Sequence, residues 1–126
     1  MGKEQFYMKE ETYKVIGLCM EVHNILGKGH SEAVYAEALE YEFKQNNIPY
    51  DREKPYYIYY KDIKLSKFYY PDFTVFDNLI IELKAISELT SREVKQTLNY
   101  LAASKNKISL LVNFGEDSLV YKRIIL

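Results

Sequence analysis

Apolar side chains recur every three or four positions from about Glu11 to Leu26, where Val15, Leu18, Cys19, Val22, Ile25 and Leu26 would line one helix face. Gly27 ends that helix. After Gly27-Lys28-Gly29-His30, Ser31 stands where an N-cap belongs, ahead of a second helix from about Glu32 to Gln45. Its apolar stripe is Tyr35, Ala38, Leu39 and Phe43, and Asn46-Asn47 closes it. The pattern then becomes β-like. Ile48-Pro49-Tyr50 leads into Tyr56–Tyr60, and Lys61-Asp62 predicts a hairpin turn. Ile63 to Phe76 reads as one long strand, or as two broken near Pro71, because proline cannot donate to a ladder. Leu79 to Ala85 is the next strand. Thr90-Ser91-Arg92-Glu93 is a capping box that opens a third helix running to about Ser104, with Val94, Leu98, Leu101 and Ala102 toward the core. Two strands close the chain, Lys107 to Phe114 and Leu119 to Ile125, across a turn at Gly115-Glu116-Asp117-Ser118.

The order α-α-β-β-β-α-β-β predicts an α/β (mixed α+β) fold with a central mixed sheet flanked by helices. The helix between the Leu79 and Lys107 strands suits a right-handed parallel crossover, whereas strands joined by short turns should be antiparallel. At 126 residues, with no linker or repeat, the expectation is a single domain over residues 1–126. A formal charge of −1 argues against a strongly basic nucleic-acid binder but leaves room for a local basic surface. Thirteen tyrosines and no tryptophan are unusual; tyrosine packs in sheets and also stacks on bases, and packing is the expected use at most positions. The one cysteine, Cys19, excludes an intramolecular disulfide and a Cys-rich zinc site, and its apolar neighbours predict a buried thiol. His23 and His30 are too few and unpatterned for zinc. No apolar run reaches membrane-spanning length, and Met1-Gly2-Lys3-Glu4 does not open a signal peptide, so a cytoplasmic protein with no membrane partner is expected. Gly2 lacks the context of a myristoylation site.

The candidate chemistry lies between Pro71 and Lys84. In Leu79-Ile80-Ile81-Glu82-Leu83-Lys84 the acid and the amine share one strand face while Ile81 and Leu83 take the other. A charge in such an apolar strand needs a partner or a metal. A salt bridge on a solvated face would satisfy it. So would a divalent-cation site with Asp72 and Glu82 as carboxylate ligands, the Leu83 carbonyl as a further oxygen, and Lys84 beside the attacking water. Mg²⁺ or Mn²⁺ suits hard oxygen ligands and the needs of phosphodiester hydrolysis.

Pro71-Asp72, nine residues, then Glu82-Leu83-Lys84 resembles the signature of the PD-(D/E)XK nuclease superfamily. Gly29-His30-Ser31-Glu32-Ala33-Val34-Tyr35 is similar to the name motif of the small GxxExxY proteins placed within it. The resemblance runs from about Val15 to Ile124. It implies a restriction-endonuclease-like core and a metal-dependent nuclease acting on nucleic acid, DNA in the first place. It implies that Asp72 and Glu82 bind Mg²⁺ or Mn²⁺, that Lys84 is catalytic, and that Glu32 adds an acid to the metal or its waters. Gln96 and Tyr100 are similar to the Gln-x-x-x-Tyr motif of exonuclease-like members, and would support the site or contact substrate. Two other readings stay open: a non-catalytic module on the same fold that binds nucleic acid or protein, and a homodimeric branched-DNA resolvase.

Each of these residues also has a plainer use. Glu32 suits the first turn of a helix, Gly29 suits a turn, and Tyr35 suits a core. Tyr56–Tyr60 with Lys61, Lys64 and Lys67 would track a nucleic-acid strand, or form a solvated strand face. Arg52 and Glu53 are surface charges that would approach the site from the first strand. The phase of the turn at Asp77-Asn78 is a test. With a two-residue turn Asp72 pairs with Leu83 and points away from Glu82, so convergence requires a three-residue turn or a bulge near Pro71.

Overall fold

A computed structural model describes residues 7–126, and the reading of Met1-Gly2-Lys3-Glu4 lies outside them. The elements are α1 (Lys9–Leu26), α2 (Glu32–Gln45), β1 (Tyr50–Arg52), β2 (Tyr56–Tyr60), β3 (Ile63–Tyr69), β4 (Phe73–Val75), β5 (Leu79–Lys84), α3 (Ser91–Ser104), β6 (Ile108–Asn113) and β7 (Val120–Ile125). The main sheet has the order β1-β4-β5-β6-β7. β5 and β6 are parallel, joined through α3, and every other neighbouring pair is antiparallel. The mixed sheet flanked by helices is therefore as expected.

The strand count differs. Five strands, not three, precede α3. The run from Ile63 to Phe76 breaks at Tyr70-Pro71-Asp72, where proline interrupts the ladder. The three-residue β1 is too short to show a period in sequence, and pairs with β4 through Tyr50–Val75, Asp51–Thr74 and Arg52–Phe73. β2 and β3 leave the main sheet and pair only with each other, as a two-stranded ribbon.

Alternation along the strands sorts two cores. Phe73, Val75, Leu79, Ile81, Leu83, Ile108, Leu110 and Val112 pack with α1 and α2 on one side of the sheet. Ile80, Leu111 and Ile124 pack with Leu101 of α3 and Tyr69 of the ribbon on the other. In α1 the buried stripe runs through Thr12, Val15, Ile16, Cys19, Val22 and His23, and Ile25 is 71% exposed, contrary to expectation. In α3 Leu101 and Thr97 are buried, whereas Ala102 faces solvent. Cys19 is fully buried, and that burial pushes its thiol up to about 12, which keeps it protonated and inert.

The α1–α2 connection is held by Tyr35 rather than by the Ser31 side chain, which makes no cap hydrogen bond. The Tyr35 hydroxyl donates to the Gly27 carbonyl and accepts from the His30 N–H, and its ring stacks on Phe114 at 4.5 Å. Gly29 has φ of +107°, a conformation that an L side chain would strain. The capping box of α3 is formed: Thr90 Oγ1 accepts from the Arg92 N–H, and Glu93 Oε1 accepts from the Thr90 N–H.

Candidate active site

β4 and β5 are joined by three residues, because Val75 pairs with Leu79, Thr74 with Ile80 and Phe73 with Ile81. The next position outward places Asp72 across from Glu82, on the side of the sheet that α3 covers. Phe76 and Asp77 both take left-handed backbone conformations in this loop, with φ of 51° and 66°. For a phenylalanine that is unfavourable by roughly 1–2 kcal/mol. The ring packs on the core and the Phe76 N–H donates to the Pro49 carbonyl at 2.9 Å, which offsets the strain. The three-residue turn that convergence required is thus present.

The two carboxylates are pinned reciprocally. The Asp72 N–H donates to Glu82 Oε1 at 3.1 Å, and the Leu83 N–H donates to Asp72 Oδ2 at 2.7 Å. Each therefore keeps one oxygen, Asp72 Oδ1 and Glu82 Oε2, that accepts no hydrogen bond from the described residues. Both acids are half-buried, and among the described residues neither has a cation within ion-pair distance. Burial is the main reason that Asp72 is raised above the usual carboxylate range, with the charges of Glu32 and Glu53 adding to it. Glu82 is pushed up to about 7, by burial first and then by the negative charge of Asp72.

Lys84 and Glu82 line a cleft of about 240 Å³ with Gln96, Tyr100, Phe68, Tyr69 and Tyr70. The structure thus brings Asp72, Glu82, Lys84, Gln96 and Tyr100 to one place. Glu32 is exposed at the start of α2 and acts on both acids through its charge. It does not join them in a tight cluster: among the described residues no three His, Cys, Asp or Glu side chains stand close enough to hold a metal together. Glu53 approaches Asp72, and its N–H donates to the Asp72 carbonyl at 3.1 Å. Arg52 instead bonds to Glu40 at 2.7 Å.

The match to a family model decides the relationship. The model describes the PD-(D/E)XK nuclease superfamily and covers residues 9–124, nearly the whole chain. The chain belongs to the PD-(D/E)XK nuclease superfamily. Its mixed sheet and helices form the restriction-endonuclease-like fold. No curated protein and no solved structure matches it significantly. PD-(D/E)XK nucleases usually use divalent metals.

Two residues in this region escape sequence reasoning. Tyr69 is 5% exposed and lines the cleft, and its buried hydroxyl has no hydrogen-bond partner among the described residues. Its ring stacks on Tyr100 at 4.5 Å and 7°. Burial, with Glu82 and Asp72 adding to it, raises its pKa, so the phenol stays protonated. The signal was its place in Tyr69-Tyr70-Pro71-Asp72, next to the acid motif. Asn113 is the other. Fully buried at the end of β6, opposite Lys84 in the parallel register, it accepts from the N–H groups of Ile86 and Gly115 and donates to the Ile86 carbonyl and Glu116. A lone amide in an otherwise apolar run was the available clue.

Proposed function

We propose that the chain is a single-domain, metal-dependent nuclease that hydrolyses phosphodiester bonds of nucleic acid, DNA in the first place, and that it belongs to the GxxExxY group within its superfamily. The group assignment rests on Gly29, Glu32 and Tyr35. The functional reading rests on one observation, the pinned acid pair Asp72–Glu82, whose Glu82 lines a cleft together with Lys84.

The donor set fits a magnesium or manganese ion. Such ions take hard oxygens from one or two carboxylates and retain water, and here two partly desolvated acids each keep an oxygen that accepts no hydrogen bond from the described residues. Asp72 and Glu82 would hold the ion with the Leu83 carbonyl, and Glu32 would bind its water shell. When bound, the ion supplies Lewis-acid stabilisation at the phosphate and a more acidic water. Lys84 holds positive charge on the cleft wall beside Glu82. From there the ammonium form would offset negative charge growing on the phosphate, and only the neutral amine, after losing its own proton, would take one from the attacking water. Gln96 offers an amide, and Tyr100 a half-buried ring and hydroxyl, to orient the substrate.

Purified protein with Mn²⁺ is expected to cleave labelled DNA or RNA among single-stranded, duplex and branched forms. Glu82→Ala should lose both cleavage and calorimetric Mn²⁺ binding, and Lys84→Ala should lose cleavage while binding Mn²⁺. No cleavage of any form, together with no Mn²⁺ binding, would sink the proposal. A second reading, a non-catalytic module on the same fold, is favoured by the absence, among the described residues, of a third acid close enough to share an ion with the pair. Nucleic-acid binding that is unchanged in Lys84→Ala and needs no metal, without cleavage, would select it.

A further inference from the structure

The β2–β3 ribbon has two unlike faces. Tyr56 and Tyr69 pair across it and pack toward α3. Tyr57 and Phe68 pair across it on the opposite face, and Tyr70 follows Phe68 two positions on. The rings of Tyr57, Phe68 and Tyr70 form a row with centroids 5.7 and 5.5 Å apart, tilted by 53° and 49°. They are 44%, 44% and 58% exposed. Because the other face is committed to α3, the ribbon cannot turn this row away from water. At one end, Phe68 and Tyr70 line the cleft that contains Glu82 and Lys84. At the other, the Lys64 ammonium lies 3.6 Å from the Tyr57 ring centroid. Residues 54–70 carry four lysines and one aspartate, in a chain whose formal charge is −1.

We infer that this face is a track for single-stranded nucleic acid, which stacks its bases on Tyr70, Phe68 and Tyr57 as it enters the cleft. The inference rests on the nuclease reading of the cleft and names its substrate class. Aromatic rings among cations match an unpaired strand, because each base offers a free face and each phosphate a charge. A duplex hides its base faces and presents phosphates and groove edges, which a row of aromatic rings does not engage. The tilt between neighbouring rings favours splayed bases, each against its own ring, over a continuous base stack.

The test is fluorescence anisotropy in EDTA with a labelled oligonucleotide of about 12 nucleotides, against a blunt duplex of the same sequence. The single strand should bind at least about ten-fold more tightly. Phe68→Ala and Tyr70→Ala should each weaken it roughly 5- to 100-fold. Phe68→Tyr should bind as the parent does, and so should Tyr13→Ala, an exposed aromatic on α1. Equal affinity for both forms, or alanine variants that bind like the parent, would overturn the inference. So would light scattering that shows a dimer dissolved by Phe68→Ala, with no single-strand binding, since the row would then be covered by a second copy of the chain. Cleavage with Mn²⁺ separates the two readings. Row-dependent binding without cleavage supports the track and removes the nuclease, whereas cleavage of both forms, unaffected by Phe68→Ala, overturns the track and leaves the nuclease.

Discussion

Tyr69 shows how a single polar atom can be costly and useful at once. Burying a hydroxyl without a partner is unfavourable by about 1–3 kcal/mol, and native proteins keep few such groups. Tyr69 lines the cleft with Glu82, and a substrate phosphate or an ordered water that reached its hydroxyl would satisfy it. Tyr69→Phe keeps the stack on Tyr100 and removes only the oxygen. Thermal stability should be unchanged or higher by up to about 1 kcal/mol, while cleavage should fall about ten-fold, the value of one hydrogen bond of ~1.4 kcal/mol. Equal turnover by parent and variant would leave the hydroxyl without a role. Tyr35 and Glu32 divide in the same way. Tyr35 fastens the α1–α2 loop from inside the core, so Tyr35→Phe should lower unfolding free energy by about 1–2 kcal/mol in a denaturant melt. Glu32 is exposed and acts on the acid pair through its charge, so Glu32→Gln should leave that melt unaltered and reduce metal-dependent cleavage.

At the scale of elements, the site depends on how two segments are set against β5. The first is β4, whose phase is fixed by the Phe76-Asp77-Asn78 loop. The second is the chain after Lys84, which Asn113 fastens at Ile86 while Glu116 accepts from the Leu89 N–H, so that α3 starts where Gln96 and Tyr100 can face Lys84. Asn113→Ala would leave the Ile86 and Gly115 N–H groups without this acceptor and should be destabilising by about 2–4 kcal/mol, read by urea denaturation. Asn113→Asp keeps the acceptor but loses the donor and sets a second charge near Glu116, so it should be no better. Helices, the capping box and the β5–α3–β6 crossover were legible because their signals are local: an apolar period, a Thr-x-x-Glu spacing, a helix between two apolar runs. β1 and the detachment of β2–β3 were not, since a three-residue strand has no period and a ribbon's partner is chosen by tertiary contact. The acid motif was legible as residue types at a spacing. Its geometry was not, because it depends on whether Phe76 belongs to the strand or to the loop, and that is decided by the burial of its ring.

For the whole molecule, the acid pair sets stability against function. Two half-buried carboxylates stand near each other with no cation of the described residues in ion-pair contact, an arrangement that is unfavourable whenever both are charged. In the folded chain Glu82 is pushed up to about 7 from an ordinary value of 4.5, and Asp72 is raised as well. Between those two pH values the folded state retains a proton that the unfolded chain has released. Stability from Glu82 is therefore full below about pH 4.5, declines as pH rises through 7 and is lost above it, by about 3 kcal/mol, with Asp72 acting in the same direction. In EDTA the melting temperature should fall by several degrees between pH 5 and pH 8. Glu82→Gln, which cannot ionise, should flatten that slope and melt higher than the parent at pH 8. A divalent ion reverses the balance, since it binds the charged form and only the folded chain presents both acids together. Mn²⁺ should thus raise the melting temperature more at pH 8 than at pH 5.5, where it must displace the Glu82 proton, and it should not raise that of Glu82→Gln. A parent protein equally stable at pH 5 and pH 8 in EDTA would show that the pair is solvated, and the case for a cation between these two acids would fall with it.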